Sequence, residues 1–99
     1  MINKTEFLER IKKLPEQIPS KTDTAFYSGF KLEGNILNFH RVNPQTDWSL
    51  DVDQLWQVYC TQEFINTTVV KNVTGGRANS PAVAILMAIG CIDRKGNRK

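Results

Sequence analysis

Apolar residues first recur at helical spacing. Phe7, Leu8, Ile11 and Leu14 fall on one face, so residues 3–14 read as a helix. Asn3 is placed to cap it, with Glu6 reaching back as in a capping box. Pro15 stops it, and residues 15–20 read as an extended connector. From residue 24 the period becomes two. With Gly34-Asn35 as a two-residue turn, Leu32 faces Leu37 and Phe30 faces Phe39, and Phe26 continues that apolar face. Lys31 with Asn38, Gly29 with His40 and Tyr27 with Val42 then form the opposite face. Residues 24–42 are therefore expected to form one antiparallel hairpin.

Residues 43–47, Asn-Pro-Gln-Thr-Asp, read as a polar loop. A helix is expected near Asp51, with Gln54 completing its cap and Val52, Leu55, Trp56 and Tyr59 as its buried stripe. Residues 66–74 carry two signals. Thr67, Thr68, Val69, Val70 and Val73 favour a strand, whereas the Asn66 cap and the Gly75-Gly76 stop favour a helix. A short helix is the reading taken. Ser80 as cap and Pro81 as first helical residue open a last helix, apolar all round from Ala82 to Ile89 and so expected at the centre of the core. The fold class is α+β: an N-terminal helix, one hairpin, then a cluster of two to three helices ending in a buried one.

The chain has 99 residues, 40% hydrophobic and 23% charged. These values fit a single domain, assigned to residues 1–92, with 93–99 as a mobile basic tail. The longest apolar run is far short of the roughly 20 residues that span a bilayer, so no membrane association is expected. The opening MINKTEFLERIKK lacks the apolar stretch of an export signal, and two cysteines do not make a disulfide scaffold. A cytoplasmic protein is the expectation. Charge is polarised along the chain: residues 1–41 carry +2, residues 42–70 carry −4 and residues 71–99 carry +5. A basic end of this kind attracts polyanions, including nucleic acid.

The clearest candidate for chemistry is the stretch Thr74 to Pro81. Gly75, Gly76, Arg77 and Ser80 form a Gly-rich, Arg-bearing loop that enters a helix N-terminus, a setting that favours an anion. The competing structural reading is a C-cap glycine pair linking two helices, with Ser80 capping the second helix and Arg77 paired with Asp47, Asp51, Asp53 or Glu63. The next candidate is a helix-turn-helix, with Thr67, Thr68, Lys71 and Asn72 presented by its second helix. The acidic first helix counts against it. Cys60 and Cys91 have no nucleophile signature, His40 is the only histidine, and no metal-ligand spacing occurs. No catalytic residue, metal or cofactor is assigned. Trp48, outside the helix, and Tyr27, on the outer sheet face, are expected to be exposed and to form a binding or self-association surface.

The segments Leu55-Trp56-Gln57-Val58-Tyr59 and Ser80-Pro81-Ala82-Val83-Ala84-Ile85-Leu86 resemble small bacterial orphan proteins of the integron gene-cassette type. That resemblance covers less than half of the chain and implies a bacterial, cytoplasmic, non-housekeeping setting without a catalytic motif. The sequence thus leads to a small, non-catalytic binding module whose partner is another protein or a second copy of itself. A nucleic-acid-associated protein using the basic last third is the alternative, and a small enzyme of unspecified reaction the third reading.

Overall fold

The computed structural model describes residues 1–42 and 44–99. Asn43, the first residue of the expected polar loop, lies outside them. Among the described residues the chain folds as α1 (Lys4–Lys12), β1 (Gln17–Pro19), β2 (Phe26–Glu33), β3 (Ile36–Val42), β4 (Gln45–Asp51), α2 (Val52–Thr61), α3 (Thr67–Thr74) and α4 (Asn79–Ala88). The class is α+β, but the sheet has four antiparallel strands in the order β1-β2-β3-β4 rather than one hairpin. The expected connector supplies β1, which pairs Gln17 with Ser28 and Pro19 with Phe26. The expected loop supplies β4, which pairs with β3 without interruption from Ile36–Asp51 to Val42–Gln45. Thr46, Trp48 and Leu50 alternate with polar residues along β4, and Trp48 and Leu50 are half-buried. A period of two is present there, among residues typical of turns.

The Gly34-Asn35 turn is as expected, with Leu32 opposite Leu37 and the Phe30 and Phe39 rings stacked at 5.4 Å. Beyond that point the expected register fails. The β2–β3 pairing shifts between Ser28 and Lys31, where Gly29 has φ +72°. Gly29 and Phe30 together oppose Phe39, a β-bulge that needs a left-handed residue at its first position. The extra residue reverses the parity of everything before it. Tyr27 therefore turns inward, 4% exposed, and Phe26 turns outward, 43% exposed. The imidazole of His40 lies over the gap at Gly29, where a Cβ would come within 2.8 Å of the ring.

Val52 N–H donates to Asn35 C=O at 2.9 Å. This makes residues 35 and 52 a hydrogen-bonded pair, and alternation then assigns 37/50, 39/48 and 41/46 the same role. The backbone groups of Gln45, Asp47, Ser49 and Asp51 consequently point away from β3, toward the open edge of the sheet.

The N-caps read from the sequence form, but the Glu6 and Gln54 side chains do not reach back to complete capping boxes, and Glu6 pairs with Arg10 instead. Asn3 Oδ1 accepts from Glu6 N–H, Asp51 Oδ1 from Asp53 and Gln54 N–H, and Asn66 Oδ1 from Val69 N–H. The 66–74 segment is a helix, ended by Gly75 at φ 66°. Residues Pro81 to Leu86 of α4 are buried throughout. The start of α4 differs from expectation: the helix begins at Asn79, Ala78 occupies the cap position and no side chain caps it. Ser80 sits exposed in the first turn. Pro81 is tolerated at the third helical position because its missing N–H is one that no helix satisfies internally.

The last seven residues form a folded segment where a mobile tail is expected. Arg98 N–H donates to Glu63 C=O and Lys99 N–H to Cys91 C=O. The Arg98 guanidinium donates to the carbonyls of Tyr59 and Cys60 at the end of α2. Tyr59 Oη accepts from Ile2 N–H and donates to Lys99 C=O, joining the two ends of the chain. Gly96 passes so close to Ile65 C=O that a Cβ would collide with that oxygen, and its φ is +94°. Asp93 organises the turn by accepting from the N–H groups of Lys95 and Asn97. These bonds, the Asn97 N–H first, hold its carboxyl below its ordinary range.

Candidate functional site

The α3–α4 connection carries the loop singled out in the sequence, and the structure divides its residues between two depressions. Gly76 and Arg77 line a pocket of about 170 Å³ between this connection and the end of β4. Its apolar wall consists of Ile36, Leu50, Leu55, Val70, Ala78 and Ala82. Ser49, Asp51, Gln54, Thr74 and Arg77 supply the polar part. Ser80 belongs to a different depression, of about 300 Å³, with Lys21, Thr22, Asn66, Thr67 and Val83. Gly75 is the left-handed C-cap of α3 and lines neither.

Local folding explains the pocket. Asp51 ends β4 and caps α2, so strand and helix meet at its carboxylate; its Oδ1 also accepts from Asn35 Nδ2 at 2.8 Å. This brings Leu50 and Leu55 to one wall. Gly75 turns the chain out of α3, and Thr74 Oγ1 holds the turn by donating to Val70 C=O and accepting from Gly76 N–H. The chain then carries Arg77 and Ala78 across the opening before α4 starts.

Of the structural reading of this loop, the glycine C-cap is realised at Gly75, but the Ser80 cap and the Arg77 ion pair are not. Ser80 makes no capping bond. Among the described residues Arg77 forms no ion pair and no hydrogen bond, while Lys4 pairs with Asp53 at 2.8 Å. Arg77 is an exposed cation beside an apolar depression.

The two aromatic candidates are placed differently from expectation. Tyr27 lies in the core, its ring edge-on to Phe39 at 5.9 Å, and burial pushes its hydroxyl pKa up. The bulge at Gly29 is the cause. Trp48 faces the inner side of the sheet, opposite Phe39, and is half-buried. The exposed aromatics are instead Phe26 at 43% and Phe64 at 48%. Phe7, Trp56 and Tyr59 form a second internal cluster, with the Phe7 ring 5.1 Å from Trp56 and 5.7 Å from Tyr59. Two ring clusters thus absorb six of the aromatics.

His40 sits on the outer sheet face, as its register predicts, opposite Ser28 and Asp47. Cys91 is buried, and burial raises its thiol pKa to about 11. Among the described residues no group of three His, Cys, Asp or Glu side chains is arranged to hold a metal ion, and no helix is long and apolar enough to cross a membrane. Thr67, Thr68, Lys71 and Asn72 are exposed on α3. Of the C-terminal cations, Arg94 pairs with Asp23 at 3.1 Å and Arg98 holds the end of α2.

The sequence reading missed Ile36, Ser49, Leu50, Asp51, Gln54, Leu55, Val70 and Ala82 as pocket residues. The alternation of Thr46, Trp48 and Leu50 was the available signal, since a strand there brings Leu50 beside Leu55. No protein-family model, curated protein or solved structure matches the chain.

Proposed function

We propose that this chain is a non-catalytic binding module that holds an apolar side chain of a partner protein in the pocket beneath Arg77. The observation that carries this reading is the pairing of an apolar depression with a cation that has no acidic partner among the described residues. Size selects the occupant. Pockets for whole cofactors and drug-sized ligands enclose roughly 300–1,000 Å³, whereas anchors at protein interfaces are single buried side chains. A pocket of about 170 Å³ fits the second class. Arg77 on the rim favours an Asp or Glu next to the anchor, because a guanidinium pairs two-pronged with a carboxylate.

The polar lining supports binding rather than turnover. Asp51 is engaged by two backbone amides and Asn35, and Thr74 by its own helix and Gly76. Neither is poised as a general base for an incoming group. The polyanion reading has less support, because Arg94 and Arg98 are spent on internal contacts.

A peptide array tests the proposal. Wild-type protein should retain peptides that place Leu, Ile, Met or Phe next to Asp or Glu. Arg77→Ala should lose the preference for the acidic neighbour. Ala78→Phe, which fills the pocket, should lose retention altogether. Retention that neither substitution alters would refute the assignment of the site.

A further inference from the structure

The two edges of the sheet are built differently. β1 is three residues long, ends in Pro19 and packs against α4. Such an edge is blunted against pairing. β4 is seven residues long, contains no Pro, Lys or Arg, and has no bulge. The hydrogen-bond alternation set by Val52 and Asn35 points the backbone groups of Asp47 and Ser49 outward, where no described residue bonds to them. Asp47 and Ser49 are also exposed.

We propose that β4 pairs antiparallel with β4 of a second copy, across a two-fold axis at Trp48, joining two four-stranded sheets into one. Charge selects this register. Outward-pointing residues must face one another for the backbones to bond, which restricts the axis to residue positions along the strand. An axis at Asp47 sets Asp47 against its own copy. An axis at Ser49 sets Asp47 against Asp51 twice. Directly opposed like charges destabilise a sheet. An axis at Trp48 places Asp47 opposite Ser49, Gln45 opposite Asp51 and Thr46 opposite Leu50, so every carboxylate faces an uncharged hydrogen-bonding group. It also sets the two Trp48 side chains side by side on the inner face, a favourable aromatic pair. The strand is thereby complementary to itself in the register that gives long overlap without a charge conflict. Ser49 and Asp51 also line the pocket beneath Arg77, but the pairing uses their outward backbone groups and does not rest on what the pocket holds.

Sedimentation equilibrium across a range of concentrations tests it. Wild-type protein should reach twice the 11.3 kDa chain mass. Ser49→Pro removes an outward N–H and no bond to β3, so it should give a monomer with unchanged circular dichroism. Two charge variants test the register itself. Ser49→Asp puts a carboxylate opposite Asp47 at two symmetric places and should weaken association roughly tenfold. Ser49→Lys puts an ammonium there and should strengthen it. A monomer at all concentrations would overturn the proposal, as would a dimer indifferent to Ser49→Pro. Opposite charges at residue 49 that shift association in the same direction would overturn the register.

Discussion

Replacing Gly29 by alanine tests the bulge that decides which aromatics are buried. The substitution carries two separable costs. At φ +72° an L-residue adopts the left-handed conformation, at roughly 1–2 kcal/mol. The new Cβ would also stand 2.8 Å from the His40 ring, which must swing aside. His40 is half-exposed on the outer face, so its displacement costs on the order of 1 kcal/mol as an off-rotamer side chain. The total of about 2–3 kcal/mol corresponds to a fall in Tm of roughly 8–24 °C for a domain of this size. Thermal unfolding followed by circular dichroism measures it. In a His40→Ala background Gly29→Ala should cost about 1 kcal/mol less than it does in the wild type, the ring's share, while the backbone share stays in place. A Gly29→Ala protein as stable as the wild type would refute the left-handed bulge. Full recovery in the double variant would show that only the ring contact mattered.

Leu86, fully buried in α4, should cost about 2–5 kcal/mol when cut to alanine, read as a lower urea midpoint with unchanged slope. The Asp93 carboxyl is held below its ordinary range by the turn it organises, so its contribution is present above the unfolded pKa and lost as pH falls through the depressed folded value. Amide signals of Lys95 and Asn97 should therefore stay native at pH 5 and move only in more acidic solution; movement centred above pH 5 would contradict this. Cys91, with its thiol pKa raised to about 11 by burial, should resist disulfide reagents at pH 8 in the native protein and react once urea unfolds it. Rapid native labelling at Cys91 would show that its surroundings open.

The helices were legible because their signals are local. Asn3, Asp51 and Asn66 cap in the structure as expected, without return bonds from Glu6 and Gln54, and Gly75 ends α3. The sheet was half legible. The hairpin turn followed from alternation, but alternation is blind to an inserted residue, and Gly29 inverted the faces of Phe26 and Tyr27. An isolated glycine within a strand pattern is the sequence mark of a bulge. β4 was hidden by its Asp, Ser and Gln, which suit an edge strand with one solvated face as well as they suit a loop. The pocket was not legible. It needs residue 36, residues 49–55 and residues 70–82 side by side, and only the sheet's extra strand brings them there. Of the loop residues singled out for an anion, Gly76 and Arg77 line this pocket and Ser80 lies in the other depression.

The central claim is that the pocket beneath Arg77 receives an apolar group with a carboxylate beside it. N-acetylphenylalanine is the minimal probe, titrated into isotopically labelled protein while amide shifts are recorded. At about −0.3 kcal/mol per non-hydrogen atom, a ligand of this size should bind with a Kd on the order of 1 mM. Shifts should concentrate at Leu50, Asp51, Val70, Gly76, Arg77 and Ala82, with weaker binding for the uncharged N-acetylphenylalaninamide and for Arg77→Ala. Shifts absent up to the solubility limit, or centred on the outer sheet face around Ser28 and His40, would contradict it.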